Sequence, residues 1–221
     1  MFENTLEDKK QKGYFHGQRP EMLKYIPDSS IKILEVGCGE GTFCAAMKRS
    51  DREIWGIEMN EEAALKAGNE CYKVLHGDFD SVFTQLPAHY FDCVVFNDVL
   101  EHLIAPWDTI RQVKLLLSND GVLVSSIPNF RSFSNLITEI LWLRDFRYKP
   151  EGGILDDTHI RFFTSKSICR MHHEQGYEIL AHEGIRATKR WKEKICIAMS
   201  LGFLDDTKYK QFATLAKPVK E

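Results

Sequence analysis

The stretch that most constrains this chain is IKILEVGCGEGTF, at residues 31–43, where an apolar run ends in three closely spaced glycines. The run at 31–36 is almost continuously apolar, as a strand has to be when a parallel sheet is covered on both faces. Gly37, Gly39 and Gly41 follow at once, and glycine lets a backbone take left-handed conformations and come close to a ligand. A strand that ends in such a turn and leads into a helix predicts an α/β sheet with a ligand at its carboxyl edge.

The same alternation continues along the chain. Further apolar runs predict strands at 53–58, 72–77, 91–97 and 121–127. The spacers between them predict helices at 41–50, 61–68 and 104–118, and the last of these carries apolar residues at helical intervals. Strand and helix in alternation predict a doubly wound α/β fold.

The last third of the chain has a different pattern. An amphipathic segment and a loop-like segment predict a lid-like insertion around 128–163, over the carboxyl edge of the sheet. The elements expected after it are a helix at 165–176, opened by Thr164 or Ser165, and strands at 177–185 and 210–218. We expect a single domain at 31–221, preceded by a cap segment at 1–30.

The residues around the glycines indicate the charge of the ligand. The spacing is GxGxG, and Thr42 stands where the dinucleotide motif GxGxxG has its last glycine. Glu35 lies at the end of the strand, where a carboxylate would repel a pyrophosphate and attract a cation or an ammonium group. This combination favours a positively charged ligand that carries a nucleoside.

Polar residues at the ends of the next strands support this interpretation. Glu58 ends the second strand, where an acid can accept hydrogen bonds from both hydroxyls of a ribose. Asp78 follows the third strand, where it could accept from an exocyclic amine or cap a helix, and Phe79 could lie on a base. Asn97 ends the fourth strand at the same crevice. Because each residue alone has an ordinary structural explanation, the prediction depends on the combination.

Taken in order, these motifs resemble a known family. ILEVGCGEGTF, GIEMN, GDFD and FDCVVFNDVLEHL are similar to the motifs of class I S-adenosylmethionine-dependent methyltransferases, especially the small-molecule branch that includes the ubiquinone-biosynthesis O-methyltransferases. The resemblance covers roughly residues 14–218. It implies a Rossmann-like, seven-stranded and mostly parallel sheet in which the last two strands form an antiparallel edge.

The resemblance also implies the cofactor, S-adenosylmethionine, with S-adenosylhomocysteine as its product. The glycines would border the methionine part, Glu35 would fix the ammonium group and Glu58 the ribose, and Asp78 with Phe79 would hold the adenine. The cofactor-binding residues predicted in this way are Glu35, Gly37, Cys38, Gly39, Gly41, Glu58, Met59, Asp78, Phe79 and Asn97.

Two segments, NDVLEHL at 97–103 and DDTHIRFF at 156–163, carry the candidates for activating an acceptor. A hydroxyl must lose its proton to a base or through a metal ion, and histidine titrates near neutral pH. We predict that His102, His159 and Glu101 are catalytic. The same three residues are candidate ligands of a divalent ion, in an arrangement similar to that of related metal-assisted methyltransferases. Alternatively, Glu101 begins a helix and both histidines only order the backbone around them.

Composition narrows the function classes. The net charge of −3 and the pI near 6.3 argue against a protein that grips nucleic acid. The six cysteines show no zinc-ligand spacing, so we expect reduced thiols in a cytoplasmic protein. No apolar run has the length of a membrane span, and no signal peptide is expected. The expected partner is a small-molecule acceptor, and the chain is expected to be a monomer or a homodimer.

The favoured hypothesis is an S-adenosylmethionine-dependent methyltransferase that acts on a small-molecule acceptor, a hydroxyl of a sugar or of a quinone-like ring. One alternative is a dinucleotide-dependent oxidoreductase, although the GxGxG spacing and Glu35 argue against it. Another is a non-catalytic methyltransferase-like module that binds cofactor or a partner. The sequence leaves open the identity of the acceptor and the choice between oxygen and nitrogen.

Overall fold

The structure is a computed structural model that describes residues 19–135 and 154–220. Residues 1–18 of the predicted cap segment lie outside the described residues. Residues 136–153 of the predicted insertion also lie outside them. The boundary predicted between a cap and a domain at residues 30 and 31 stays a prediction.

The described residues form a seven-stranded sheet. Its strands are β1 (Lys32–Val36), β2 (Glu53–Glu58), β3 (Lys73–His76), β4 (Phe91–Asn97), β5 (Leu117–Pro128), β6 (Tyr177–Ala187) and β7 (Tyr209–Pro218). Their order in the sheet is β3-β2-β1-β4-β5-β7-β6. The pairs β1–β2, β1–β4 and β2–β3 are parallel, and β6–β7 is antiparallel. The predicted α/β fold, with a mostly parallel sheet and antiparallel last strands, is confirmed.

Helices alternate with the strands. The α-helices are α1 (Thr42–Met47), α2 (Glu61–Ala67), α3 (Phe79–Val82), α4 (Pro106–Val113), α5 (Ser165–Glu174) and α6 (Trp191–Met199), with a further helical segment at Phe133–Asn135. Shorter 3₁₀ turns occupy Pro20–Tyr25, Phe83–Gln85, Leu100–His102 and Asp205–Lys208. Within the described ranges, no helix is long and apolar enough to cross a membrane.

The chain divides into two compact units. One unit runs to Asn97 and takes in Asp108–Val124, and the other takes in Asp98–Trp107 and Ser125–Val219.

In the first unit, β1 is the central strand. Ile33 and Leu34 are fully buried, because β1 has β2 on one side and β4 on the other. Val36 pairs with Ile57 of β2 and with Phe96 of β4. The residues that follow Val36, Ile57 and Phe96 therefore lie at one carboxyl edge of the sheet, which is where a parallel sheet binds ligands.

In the second unit, β6 and β7 pair from Tyr177–Pro218 to Ala187–Tyr209, with a register shift between Ile179 and Ala181. The two ends of the predicted insertion meet there, because Asn129 forms a parallel bridge with Phe163. The buried Asn129 amide also donates to the carbonyls of Asp206, at 2.9 Å, and Tyr209, at 3.0 Å. The described ends of the insertion are thus fixed against β7.

Candidate active site

The glycine-rich turn after β1 has left-handed backbone at three positions. The φ angles are 73° at Gly37, 55° at Gly39 and 81° at Gly41, values that a residue with a Cβ rarely adopts. A Cβ on Gly41 would also lie 3.1 Å from the Cα of Ala67, at the end of α2. The turn therefore requires glycine both for its conformation and for close packing of α2.

Glu58 holds this turn in place. Its side chain is 7% exposed, and Oε2 accepts a hydrogen bond of 2.9 Å from the backbone N–H of Gly39. Oε1 accepts one of 2.8 Å from Asn60 N–H. A carboxylate offers about four lone-pair sites. One of them fixes the glycine turn at Gly39, a second fixes Asn60 at the start of α2, and the remainder are available to the hydroxyls of a ribose.

Glu35 is a buried acid at the end of the central strand. Its side chain is 2% exposed, and its carboxyl accepts hydrogen bonds from Asn97 Nδ2 at 3.2 Å and from the Cys44 thiol at 3.0 Å. Burial raises the pKa of Glu35 to about 8, although both hydrogen bonds act in the opposite direction. In the described protein Glu35 is therefore mostly protonated at neutral pH.

Asn97 provides a test of whether these residues suit the predicted cofactor. Its Nδ2 donates to Glu35, and its buried Oδ1 accepts no hydrogen bond from any described residue. A buried acceptor without a partner is costly. An ammonium group would supply donors to both Asn97 Oδ1 and Glu35, so the residues present fit the methionine end of S-adenosylmethionine.

The other predicted cofactor residues occupy more ordinary positions. Asp78 is the N-cap of α3 and accepts from Ser81 N–H at 2.8 Å. Phe79 is buried against Phe83 and Phe96, with ring centroids 5.5 and 6.0 Å away. Met59 is 70% exposed. For Asp78, Phe79, Met59 and the buried Cys38, the roles expected from the sequence stay predictions.

In the second unit, Glu101, His102 and His159 come together. Each offers one ligand atom, and these atoms lie within 4.8 Å of one another. The imidazole centroids are 4.7 Å apart in an edge-to-face arrangement, and His159 Nε2 lies 4.0 Å from Glu101 Oε1. The sequence thus identified three residues that the fold brings together from segments more than fifty positions apart.

Backbone carbonyls fix the tautomers of both histidines. His102 Nδ1 lies 3.0 Å from the carbonyl of Thr158, and His159 Nδ1 lies 3.0 Å from that of Ile154. Because a carbonyl only accepts, each Nδ1 must carry the proton in the neutral ring, which leaves the lone pair on Nε2. Burial lowers the pKa of His102, so the neutral form, which can bind a proton or a metal ion, dominates at neutral pH.

The loop that carries His159 is tied to the segment that carries Glu101. The Glu101 carbonyl accepts from the N–H groups of Ile160, at 3.1 Å, and Arg161, at 3.0 Å. The Arg161 guanidinium donates to the Ile104 carbonyl through Nε at 3.1 Å and Nη2 at 2.5 Å. Arg161 belongs to the segment DDTHIRFF, and its role is to position the loop.

Asp98, which the motif placed next to these residues, belongs to a different network. Its carboxylate accepts from Ser126 Oγ and from Gln211 Nε2, each at 2.9 Å, and its backbone is left-handed at φ 55°. Those bonds tie Asp98 to β5 and β7. No local sequence signal predicts this pairing, because Gln211 lies more than one hundred positions away.

The cluster Glu101, His102 and His159 also fits a divalent ion. One carboxylate and two imidazole nitrogens are ligands typical of Zn²⁺ and other borderline divalent metals. A ligating histidine usually donates its other N–H to a carbonyl or carboxylate, and both rings do so here. The donor set therefore suits either a general base or a metal-assisted reaction.

Comparison with known proteins places this geometry in context. A family model described as a methyltransferase domain matches residues 9–182. The chain is 28% identical over 185 residues to a ubiquinone biosynthesis O-methyltransferase from Aeromonas salmonicida, in an alignment that covers 77% of this chain and 74% of the relative. A protein of the same name from Actinobacillus pleuropneumoniae is 35% identical over 128 residues, which is 52% of this chain and 55% of the relative.

Solved structures share the fold. A SAM dependent methyltransferase from Archaeoglobus fulgidus matches with a TM-score of 0.68 at 19% sequence identity, over 97% of this chain and 99% of the other. At that identity the match supports the architecture alone. The glycine turn with Glu35 and Glu58 lies within the span matched by the family model.

Proposed function

The chain belongs to the class I S-adenosylmethionine-dependent methyltransferases, and from this membership we propose that it methylates a hydroxyl of a small molecule with a quinone-like ring. The family membership removes support for a dinucleotide-dependent oxidoreductase. The O-methyltransferase relatives act, by their name, in ubiquinone biosynthesis. Their similarity favours oxygen as the acceptor atom and a quinone-like ring over a sugar.

The observation that carries the proposal is the buried Glu35 carboxyl together with the buried Oδ1 atom of Asn97, whose Nδ2 donates to Glu35. Burial of the Glu35 carboxyl costs free energy, and an uncharged ligand would not offset that cost. An ammonium group satisfies Asn97 Oδ1 and pairs with the ionised Glu35 carboxylate. Glu58, already bonded to Gly39 and Asn60, would hold the ribose hydroxyls.

The bound cofactor supplies a methyl group on a sulfonium, which is already activated by its charge. The protein has to align the acceptor and remove its proton, and alignment contributes about 7–11 kcal/mol in favourable cases. We assign the proton to the Nε2 lone pair of His102 or His159. The neutral tautomers fixed by Thr158 and Ile154 make both nitrogens competent bases.

A divalent ion at Glu101, His102 and His159 would lower the pKa of an acceptor hydroxyl. The three residues would hold it as one oxygen and two nitrogen ligands.

Binding of S-adenosylhomocysteine tests the cofactor site. We expect calorimetry to show binding to the wild-type chain and a weakening of at least tenfold in Glu58→Ala, because hydrogen bonds to a charged group contribute about 1.5–3 kcal/mol. Glu61→Ala is the matched control, since Glu61 is an exposed glutamate on α2. Equal affinity in Glu58→Ala and wild type would contradict the assignment, provided that circular dichroism shows both folded.

Turnover measurements test which molecule accepts the methyl group and which residue accepts the proton. Methyl transfer is measured with a dihydroxylated aromatic acceptor that carries an isoprenoid tail and with a sugar acceptor. His102→Ala should lower kcat by about 10²-fold while the affinity for S-adenosylhomocysteine stays unchanged. A strong chelator separates the two means of activation: undiminished turnover leaves a histidine base, and a loss that added metal restores assigns the cluster to an ion. Turnover on no hydroxyl acceptor would contradict the proposed function.

A further inference from the structure

Three cysteines of the first unit form a group, which we call the thiol cluster. Cys38 lies within the glycine turn, Cys44 lies on α1, and Cys71 lies just after α2, where its N–H donates to the Ala67 carbonyl at 2.9 Å. All three are free thiols, and each side chain interacts with the other two. Cys38 and Cys44 are buried, whereas Cys71 is partly exposed. The fold therefore brings one accessible and two buried thiols together from three separate segments of the chain.

Gly56 of β2 leaves the space that two of these sulfurs occupy. A Cβ on Gly56 would lie 2.6 Å from Cys38 Sγ and 3.5 Å from Cys71 Sγ. Because non-bonded carbon atoms prefer separations of about 3.5–4.0 Å, any side chain at this position would overlap the Cys38 sulfur. The Cys38 and Cys71 sulfurs thus flank the same point of β2, and the absence of a side chain there lets them lie close to each other.

Cys71 is the member of the thiol cluster best suited to react. It is the most exposed of the three. Interaction with the Cys38 thiol, and then with the Cys44 thiol, lowers the pKa of Cys71 well below its usual value, against the opposing effect of burial. The nearby Glu70 carboxylate disfavours the thiolate, and the Lys48 ammonium favours it. Since the thiolate is the nucleophilic form of cysteine, Cys71 combines access with reactivity.

Cys38 is the thiol best placed to react next. Its interaction with Cys44 acts to lower its pKa, but its interaction with Cys71 and its burial outweigh this effect and raise the pKa of Cys38. The Cys38 thiol therefore stays protonated at neutral pH. The Cys44 thiol is less suited as a partner, because it donates to Glu35 Oε2 at 3.0 Å. An accessible thiolate beside a second thiol is the arrangement typical of redox-sensing cysteines.

We propose that Cys71 is a site of peroxide oxidation and that its oxidation closes a disulfide with Cys38. In the first step the Cys71 sulfur attacks one oxygen of hydrogen peroxide, the O–O bond breaks, and hydroxide leaves and takes up a proton to form water. In the second step the Cys38 sulfur, as its thiol loses its proton, attacks the sulfur of the Cys71 sulfenic acid. The S–O bond breaks, and the released hydroxide combines with that proton as a second water. The two thiols lose two electrons in total, which the peroxide takes up.

This disulfide would disturb the glycine turn. Cys38 N–H donates to the Ile57 carbonyl at 3.0 Å, and the next residue, Gly39, donates to Glu58 Oε2 at 2.9 Å. A disulfide fixes its two sulfurs at about 2.0 Å, so that closing it draws Cys38 towards Cys71 and strains both hydrogen bonds. Oxidation should therefore weaken the hold on the cofactor. This consequence, unlike the oxidation itself, rests on the proposed function.

Peptide mapping by mass spectrometry tests the oxidation site without cofactor or acceptor. The full chain is treated with a small excess of hydrogen peroxide, remaining thiols are blocked with N-ethylmaleimide, and cleavage after Glu40 separates Cys38 from Cys44. We expect a disulfide between Cys38 and Cys71 as the main product. Cys71→Ser should abolish it. The matched control Cys196→Ser, which removes an exposed cysteine on α6, should form it as wild type does.

Dimedone, which reacts with sulfenic acids, tests the order of the two steps. In Cys38→Ser the sulfenic acid of Cys71 has lost its partner, so dimedone should label Cys71 several-fold more than in wild type. Two results, in a chain that circular dichroism shows to be folded, would overturn the proposal. One is a main disulfide that contains Cys44, and the other is oxidation of Cys71 no faster than that of Cys196.

Calorimetry with S-adenosylhomocysteine tests the consequence for the cofactor. We expect the oxidised chain to bind about tenfold or more weakly than the reduced chain, because losing a hydrogen bond to a charged group corresponds to about that factor. Dithiothreitol should restore the affinity, and peroxide should leave the affinity of Cys71→Ser unchanged. Equal affinity before and after complete disulfide formation would overturn the link to the cofactor. A chain that forms the disulfide but binds no S-adenosylhomocysteine when reduced would contradict the proposed function and leave the oxidation site standing, so the two failures are distinguishable.

Discussion

At the scale of single residues, the decisive group is the Glu35 carboxyl. It is buried, it accepts from Asn97 and Cys44, and burial raises its pKa to about 8. An ammonium group beside it would favour the ionised form and lower that pKa. Cofactor binding at neutral pH is therefore coupled to release of the Glu35 proton.

This coupling gives the first prediction. At about pH 7, calorimetric titration with S-adenosylhomocysteine should release close to one proton per molecule bound, because a carboxyl with a pKa of about 8 is then mostly protonated. The measurement is the observed binding enthalpy in buffers of different ionisation enthalpy. Glu35→Gln keeps the shape of the side chain and should bind with no proton release. The number of protons released is the slope of the observed binding enthalpy against the ionisation enthalpy of the buffer. The same slope for Glu35→Gln and wild type would assign the proton to another group.

Some residue positions could be predicted from the sequence and others could not. Glu35 and Glu58 were identified because each ends an apolar run, and strand ends meet at one edge of a parallel sheet. The bond from Asn97 to Glu35 depends on side-chain rotamers, which the sequence pattern does not encode. Phe79 follows the motif, yet it is buried against Phe83 and Phe96, because aromatic packing in the core also favours a phenylalanine at that position.

At the scale of helices and strands, local signals predicted most of the elements. β2 and β4 have the predicted bounds, and Thr164, one of the two predicted caps, begins α5 with a capping box that includes Ser167. The sequence pattern predicted no helix at α6. The basic residues at its start suggested an exposed turn, and most of its large apolar side chains are exposed, so that they do not form the buried stripe typical of a surface helix. β5 begins earlier than predicted, at Leu117, since pairing within a sheet extends a strand through polar positions.

The capping box of α5 gives the second prediction. Thr164 Oγ1 accepts from Ser167 N–H at 3.3 Å, and Thr164 N–H donates to Ser167 Oγ at 2.8 Å. Thr164→Ala should lower the free energy of unfolding by about 1 kcal/mol, measured by urea denaturation at constant m-value. The control is Lys166→Ala on the exposed face of the same first turn, which should change it by less than about 0.5 kcal/mol. Equal effects of the two changes would contradict a capping role.

The β6–β7 pair gives the third prediction. A Cβ on Gly184 would lie 2.0 Å from the Tyr209 ring, a distance that forces the ring to move. Gly184→Ala should therefore lower the free energy of unfolding by about 1–3 kcal/mol. In the double variant Gly184→Ala/Tyr209→Ser the alanine has room, so the two losses should not add. Additive losses in urea denaturation would show that the ring does not cause the destabilisation.

At the scale of the whole molecule, sequence periodicity was sufficient for the fold class, because alternating strands and helices leave few ways to build a covered parallel sheet. The sheet order β3-β2-β1-β4-β5-β7-β6 was not predicted, because the family resemblance implied only seven strands with an antiparallel edge formed by the last two. The meeting of Glu101 and His102 with His159 was a hypothesis from residue chemistry, and it needed the long-range fold to bring the segments within 4.8 Å. The hydrogen bond from Gln211 to Asp98, which separates Asp98 from this cluster, could not be predicted from the sequence.

The stability of the whole molecule should respond to pH through Glu35. The folded-state pKa of about 8 lies above the ordinary value of 4.5, so the folded protein binds more protons than the unfolded chain between these values. The stabilising contribution of this group is full below about pH 4.5 and is lost as pH rises through about 8. Its loss is at most about 1.4 kcal/mol per pH unit within this window.

Urea denaturation of wild type and Glu35→Gln from about pH 5 to about pH 8.5 measures the difference in the free energy of unfolding, in which all other titrating groups cancel. The difference should grow with pH in favour of Glu35→Gln, and saturating S-adenosylhomocysteine should reduce it, because an ammonium beside Glu35 offsets the cost of the buried charge. Two parallel curves in the absence of ligand would mean that Glu35 is already ionised at low pH, and the proton-release prediction would then fail as well.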